Sequence, residues 1–246
     1  MDSWHIYPNI FNLGHSAIKD LLLTPVLVEE KIDGSQFSFG VGEEGIRVRS
    51  KGAEMIVDAP EKMFQKAVDT VKELQPILTP GWTYRAEYLT KPHHNTLVYG
   101  RTPNKYLIIF DINRGEENYL SYDEKKAECD RIGLEVVQRL YEGMVEKIEQ
   151  FREFLNADSA LGGQKVEGVV VKPVGYAMWG RDKKCLMGKF VSEAFKESHS
   201  LAWKASNPQG GDIIAMLGDS LNSQGRWMKS VQHLRELGQI EDSPRE

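Results

Sequence analysis

The chain has 246 residues, and its 31 Lys and Arg stand against 36 Asp and Glu for a formal charge of −5. That length suits one large domain, or one domain with a small appendage, and the 41% hydrophobic, 27% charged composition is that of an ordinary soluble globular protein. No run approaches the roughly 18 apolar residues a transmembrane helix needs, the start Met1-Asp2-Ser3-Trp4-His5 lacks a signal-peptide pattern, and Cys129 and Cys185 form neither a disulfide framework nor a metal-ligand spacing. The expectation is a cytoplasmic monomer that engages no membrane.

Residues 26–50 read as three strands, Val26 to Ile32, Gln36 to Val41 and Ile46 to Arg49, broken at Asp33-Gly34 and by the turn from Gly42 to Gly45. Asp58 and Glu61 predict a capping box for a helix with Phe64, Ala67, Val68, Val71 and Leu74 on one face, stopped by Pro76. Trp82 to Leu89 reads as a strand, Leu97 to Tyr99 as a short one, and Tyr106 to Phe110 as a buried one. Ser121 and Glu124 form a second capping box for a helix closed by Gly133. A strand over Leu134 to Leu140, a helix from Met144 to Leu155 and a β-branched strand from Val166 to Val171 follow. The last fifty or so residues pattern as helices around Ile213 to Leu217 and Trp227 to Leu237. Grouped strands interrupted by helices of unequal length predict α+β architecture with mainly antiparallel sheets.

The charge is unevenly spread. Residues 116–153 carry eleven acids and six bases, so the rest of the chain is neutral and its Lys and Arg are free to cluster. Net acidity therefore does not argue against a nucleic-acid partner. The acidic stretch is expected to form a face turned away from any phosphate-binding site.

Five segments carry chemistry. Glu30-Lys31-Ile32-Asp33-Gly34-Ser35 places a lysine at a strand end before a tight turn, which exposes the amine and lets backbone approach a ligand. A solvated lysine before a hairpin accounts for this segment equally well. Lys165-Val166-Glu167-Gly168-Val169-Val170-Val171-Lys172 takes a carboxylate into an apolar run, where charge is costly unless paired. Arg181 to Lys189 supplies Arg181, Lys183, Lys184 and Lys189 against Asp182 alone. Between them lie Tyr84-Arg85-Ala86-Glu87 and Phe110-Asp111-Ile112.

In this order the segments resemble the covalent nucleotidyltransferase superfamily of polynucleotide ligases and capping enzymes. Lys31-Ile32-Asp33-Gly34 is similar to its nucleophile motif, and Arg49-Ser50-Lys51 to the arginine element that follows. Glu87 falls at the third motif's glutamate, and Phe110-Asp111-Ile112 resembles the segment whose ring stacks on the purine. Glu167 to Lys172 matches the fourth motif, and Lys189-Phe190-Val191, with Phe195 and Glu197 beyond, resembles the fifth. Leu97-Val98-Tyr99-Gly100, leading through Asn104 to Phe110, narrows the likeness to nick-sealing RNA ligases of the RNA ligase 2 type. The fifth motif usually reads Lys-x-Lys; here its second position is Val191, so Lys189 acts alone or Lys183 or Lys184 reaches in.

The resemblance implies an α+β, ATP-grasp-like ligase adenylation domain over residues 1–197 and a helical extension over 198–246. It implies an ATP-dependent RNA ligase that joins a 3′-hydroxyl to a 5′-phosphate through lysyl-AMP on Lys31, in a bacterial or phage-infected cell. Lys31, Asp33, Glu167 and Lys189 would be catalytic. Glu30, Arg49, Glu87 and Phe110 would join Lys31, Glu167 and Lys189 in binding the nucleotide, and Asp33 and Glu167 would hold Mg²⁺ or Mn²⁺ through water. Glu30 has two open readings, base recognition or a side chain in solvent. The alternatives are a DNA ligase or a GTP-using capping enzyme, or a decayed homologue that only binds nucleic acid. Those enzymes usually add an oligonucleotide-binding barrel after the fifth motif, and only 57 residues follow Lys189.

Overall fold

A computed structural model describes residues 3–94, 97–147, 149–191 and 232. Its elements in chain order are β1 (Ile10–Asn12), β2 (Val26–Lys31), β3 (Ser35–Gly42), β4 (Gly45–Ser50), β5 (Glu54–Met55), α1 (Gln65–Leu74), β6 (Thr83–Tyr88), β7 (His93–His94) and β8 (Leu97–Val98). They continue with β9 (Leu107–Gly115), β10 (Asn118–Tyr119), α2 (Tyr122–Ile132), β11 (Glu135–Val136), β12 (Arg139–Gly143), α3 (Gln150–Phe154), β13 (Gly168–Pro173) and β14 (Met187–Val191). The larger sheet runs β10-β9-β6-β3-β4-β5, with β11 alongside β9; the smaller runs β1-β14-β13-β2-β12. Pairing is antiparallel except β11 with β9 and β1 with β14. The α+β expectation with mainly antiparallel sheets holds.

Period-two alternation gives each sheet one greasy and one polar face. In the larger sheet Phe37, Phe39, Tyr84, Ala86 and Tyr88 are buried in one core with Phe64, Val68 and Val71 of the first helical region and Cys129 and Ile132 of α2. Each such fully buried side chain is worth about 1.5–3 kcal/mol, so this layer anchors the sheet. Gln36, Ser38, Arg85, Glu87 and Asp111 point the other way, as the register of β3, β6 and β9 requires. In the smaller sheet Val28, Val169, Val171 and Phe190 pack with Phe151 of α3. Glu29, Lys31, Val170, Lys172 and Lys189 share the opposite face by register. The two polar faces meet: Lys172 Nζ lies 3.0 Å from Asp111 Oδ1.

Several local expectations need correction. The Asp58/Glu61 box does not form; Glu61 makes no side-chain cap, Asp58 pairs with Lys72 at 2.9 Å, and a 3-10 turn at Lys62–Phe64 precedes α1. Pro76 sits in a further 3-10 turn, Gln75–Ile77, beyond the end of α1. The expected 134–140 strand splits into β11 and β12, each serving a different sheet, and the helix expected from Met144 to Leu155 shrinks to α3. Local patterning predicts no strand at β1 or β14. The Ser121/Glu124 capping box is present in full, and Gly133 closes α2 at φ 71°. The predicted C-terminal helices, and the boundary at 197/198, lie outside the described residues apart from Gln232. No helix among the described residues is long and apolar enough to cross a membrane.

Candidate active site

The cleft between the polar faces is lined by Lys31, Glu87, Phe110, Val170, Lys172 and Tyr7, among others. Lys31 ends β2, and its Nζ lies 2.9 Å from Glu167 Oε2, just ahead of β13. The β2–β13 ladder sets this meeting by pairing Lys31 with Gly168. Burial favours the neutral amine, but the carboxylates of Glu167, Asp33 and Glu87 outweigh it and raise the Lys31 pKa well above the ordinary lysine value. The amine is therefore a held ammonium in this state.

The turn behind Lys31 is tightly packed. Asp33 is buried, and its backbone N–H donates to the Tyr99 hydroxyl at 2.8 Å, which gives the Leu97-Val98-Tyr99-Gly100 run a structural role beside Lys31. A Cβ at Gly34 would stand 2.9 Å from Leu89 Cδ1 and 3.1 Å from Glu87 Oε2, so only glycine lets the turn close on Glu87 without displacement. Gln232 Nε2 donates to Ser35 Oγ at 3.0 Å and to Gly34 O at 3.3 Å, bringing one C-terminal residue onto this turn.

Phe110 reaches the cleft through a β-bulge. Arg85 pairs with Asp111 and Ala86 with Ile109, so Phe110 is the extra residue of β9. A bulge re-aims its side chain and leaves its backbone out of the ladder. Here Lys125 Nζ (2.7 Å) and Lys172 Nζ (2.8 Å) both donate to the Phe110 carbonyl, and the ring meets Tyr7 edge-on at 5.0 Å.

Beneath it lies a closed charge cluster that sequence patterning does not reveal. Glu29 receives Lys125 at 2.5 Å and Lys172 at 2.6 Å, while Asp111 accepts hydrogen bonds from the hydroxyls of Tyr7 and Tyr176. Burial raises the Asp111 pKa, but Lys172 and Lys125 outweigh it and hold the carboxyl below its usual value. Burial instead wins at Lys125, whose pKa is lowered, whereas the Asp111 and Glu29 carboxylates raise that of Lys172. The signal available in sequence was Lys172 between Val171 and Pro173; Lys125, between Glu124 and Lys126, gives none, and their meeting with Glu29 is a tertiary event. Lys125 also corrects the expectation for the acidic stretch: Asp123, Glu124, Asp130 and Glu142 face solvent, yet this lysine turns inward to the cleft floor.

The remaining residues are less central. Glu30 is not in solvent: it is among the residues that line the cleft, and its Oε2 accepts from Ala160 N at 3.0 Å while burial raises its pKa. Its Oε1 is buried without a hydrogen-bond partner among the described residues. Arg49 lies on the polar face of the larger sheet opposite Ser38, its Nε 3.4 Å from Ser50 O, and does not line the cleft. Burial lowers its pKa. Arg85 is fully buried, and its Nε donates to Asn113 Oδ1 at 3.1 Å; burial pulls its pKa down to about 10. Lys189 faces the cleft side of β14 opposite Val170. Val191 lies across Gly168 from Lys31, and a Cβ on Gly168 would be 2.7 Å from its Cγ1. Lys183 and Lys184 do not reach in; Lys184 lines a separate cavity beyond β1. That cavity, about 710 Å³, exceeds the cleft of about 80 Å³ in volume, so convergent ionisable groups rather than size locate the chemistry.

Solved structures are similar to this fold. A Naegleria gruberi RNA ligase with PPi is similar at 18% identity and TM-score 0.59, over 79% of this chain and 58% of that one. A lysine-to-alanine mutant of the same organism's RNA ligase with ATP and Mn is similar at 16% identity and TM-score 0.59, over the same shares of the two chains. A lysine-to-methionine mutant with AMP and Mn is similar at 17% identity and TM-score 0.59, again over 79% and 58%. The chain thus spans under two thirds of these structures. Comparison with curated protein sequences finds no match. The fold is the one these RNA ligase structures share with this chain. The RNA ligase family profile matches residues 24–191, and this chain belongs to that family.

Proposed function

We propose that the chain is an ATP-dependent RNA ligase that joins a 3′-hydroxyl to a 5′-phosphate. The observation that carries this reading is Lys31: an amine at the mouth of the cleft, 2.9 Å from Glu167 and across from the re-aimed Phe110, inside the stretch matched by the family. The Naegleria relatives bound to ATP, AMP, PPi and Mn support the choice of nucleotide and divalent cation.

In this mechanism Lys31 loses a proton, and its nitrogen attacks the α-phosphorus of ATP. The bond to the bridging oxygen breaks and pyrophosphate leaves. The AMP then passes to the 5′-phosphate, and the 3′-hydroxyl displaces it. A lysine of ordinary pKa near 10.4 is mostly protonated at neutral pH, and here Glu167 holds that proton further. Freeing the amine requires the three carboxylates to be turned to another cation. Asp33 and Glu167 would hold hydrated Mg²⁺ or Mn²⁺; among the described residues no three His, Cys, Asp or Glu side chains converge for direct coordination. A cation bound there would offset the charge of the triphosphate and the departing pyrophosphate. Phe110 would stack on adenine, with Lys125 and Lys172 fixing its backbone. The unpartnered Glu30 Oε1 is a buried acceptor suited to a base amino group. Glu87 would meet the ribose or the cation, Arg49 the phosphate or the displaced end, and Lys189 the α-phosphate.

The test is incubation with α-labelled ATP or GTP and Mg²⁺ or Mn²⁺, followed by a denaturing gel. Label from ATP, absent in Lys31→Ala, is the expected result. No label with either metal would overturn the enzyme reading, and label from GTP alone would move it to capping chemistry. A nicked-duplex panel with RNA or DNA on each side then reads the joining substrate.

A further inference from the structure

We infer that the groove on the far side of β1 is a binding site for a polynucleotide strand, with Trp179 stacking on a base and Arg181 and Lys184 meeting phosphates. This rests on the RNA ligase reading and says where the nucleic acid lies. β1 is the wall between the two cavities: Ile10 lines the nucleotide cleft, and Phe11, next along the strand, lines the groove. A strand lying in the groove would therefore run beside the reacting centre.

The opposite wall is a hairpin between β13 and β14. Leu186 N donates to Met178 O at 2.9 Å, Gly180 N to Lys184 O at 2.9 Å and Lys183 N to Gly180 O at 3.0 Å. Trp179 and Cys185 form a bridge within it. This well-bonded hairpin nevertheless leaves Trp179 56% exposed, although a Trp ring offers some of the largest apolar area a side chain can bury. Arg181 and Lys183 are exposed beside it. Lys183 has φ 60°, a left-handed conformation that costs a non-glycine residue about 1 kcal/mol or more. None of Arg181, Lys183 and Lys184 takes part in an ion pair among the described residues. Of the two acids in the groove, Asp182 is turned to its own loop, accepting from Lys184 N at 3.2 Å, which leaves Asp20 against the two cations Arg181 and Lys184. Across the groove the His15 ring stacks on Phe11 at 4.6 Å. An exposed ring amid unpaired cations on a firm scaffold is how sequence-tolerant strand binding is built. The volume of about 710 Å³ is ample for a nucleotide-sized ligand.

The test charges the protein with ATP, removes free metal with chelator, and titrates a nicked RNA duplex by gel mobility. Trp179→Ala should weaken binding about 5- to 100-fold, the range that loss of one stacked base implies. Trp179→Phe should restore much of it. Arg181→Ala with Lys184→Ala should lower the slope of log affinity against log salt by about 2, near one for each phosphate no longer neutralised. Covalent labelling from ATP should match wild type in all three variants. Binding within twofold of wild type in Trp179→Ala, or loss of its labelling, would overturn the groove assignment. Absence of labelling in the wild type would instead be a failure of the ligase reading.

Discussion

Two lysine–carboxylate clusters share one strand face, yet they are built to opposite ends. Glu29 and Lys31 lie two residues apart on β2 and point the same way. At Glu29 the cluster is sealed: Lys125 and Glu29 are 0% and 1% exposed, and Lys172 and Asp111 complete two amines against two carboxylates. At Lys31 the pair is open, with side chains of Lys31 and Glu167 20% and 14% exposed. The open amine faces three carboxylates, Glu167, Asp33 and Glu87. A sealed and balanced cluster can hold a backbone carbonyl in place; an open, over-acidic one can exchange its cation. Burial and charge count, not residue type, separate scaffold from reagent.

The largest expected effect tests the open cluster. Lys31→Ala should abolish covalent labelling while changing stability by no more than about 1 kcal/mol, as for a solvent-reached pair. Labelling that survives, read on the same denaturing gel, would break the comparison. The sealed cluster should answer the other way. Lys172→Met or Lys125→Met leaves a buried carboxylate uncompensated and should cost about 3–5 kcal/mol, read by urea denaturation. A loss under about 1 kcal/mol would show that the cluster is wetter than its burial indicates.

Proton linkage sharpens the contrast. Lys31 has a raised folded pKa, so the stability it contributes is fully present below the ordinary lysine value and is lost as pH rises through the raised one. The same proton loss would free the amine proposed to attack ATP. Initial labelling rates should therefore climb, by up to about tenfold per pH unit, from neutral toward about pH 10, while melting temperature falls at the alkaline end. A flat rate profile would mean that the amine is already freed when nucleotide binds. The smallest effect concerns the support of the sealed cluster: Ser121→Ala removes the N-cap of α2, which carries Lys125, and should cost about 1 kcal/mol. Thermal melts check it, with labelling expected to persist.

Local signals made much of this legible. The Ser121/Glu124 box and Gly133 bound α2 because capping is decided by neighbouring backbone groups. The alternation in β3 and β6 follows from residues facing alternate sides. The turn after Lys31 could be read because Lys31, Asp33 and Gly34 are close together in the chain. The failures share a cause. Asp58 and Glu61 satisfy a capping pattern, but Asp58 has Lys72 as a partner and the first turn tightens to 3-10. β1 and β14 are short, and each becomes a strand only by pairing with another.

By itself, then, the sequence determined the α+β class, the order of the motifs and the lysine at the strand end, since these depend on local patterning and on residues close in the chain. Tertiary structure decided the rest. It placed Glu167 within 2.9 Å of Lys31 from 136 residues away, and turned Phe110 into the cleft with a bulge seen only against β6. It drew Lys125 out of an acidic stretch to neutralise Glu29, and set Arg181 and Lys184 on the far side of β1 from the Lys31 cleft. Register, bulges and the burial of charge are properties of paired strands and closed interiors, and a partner distant in sequence leaves no local trace.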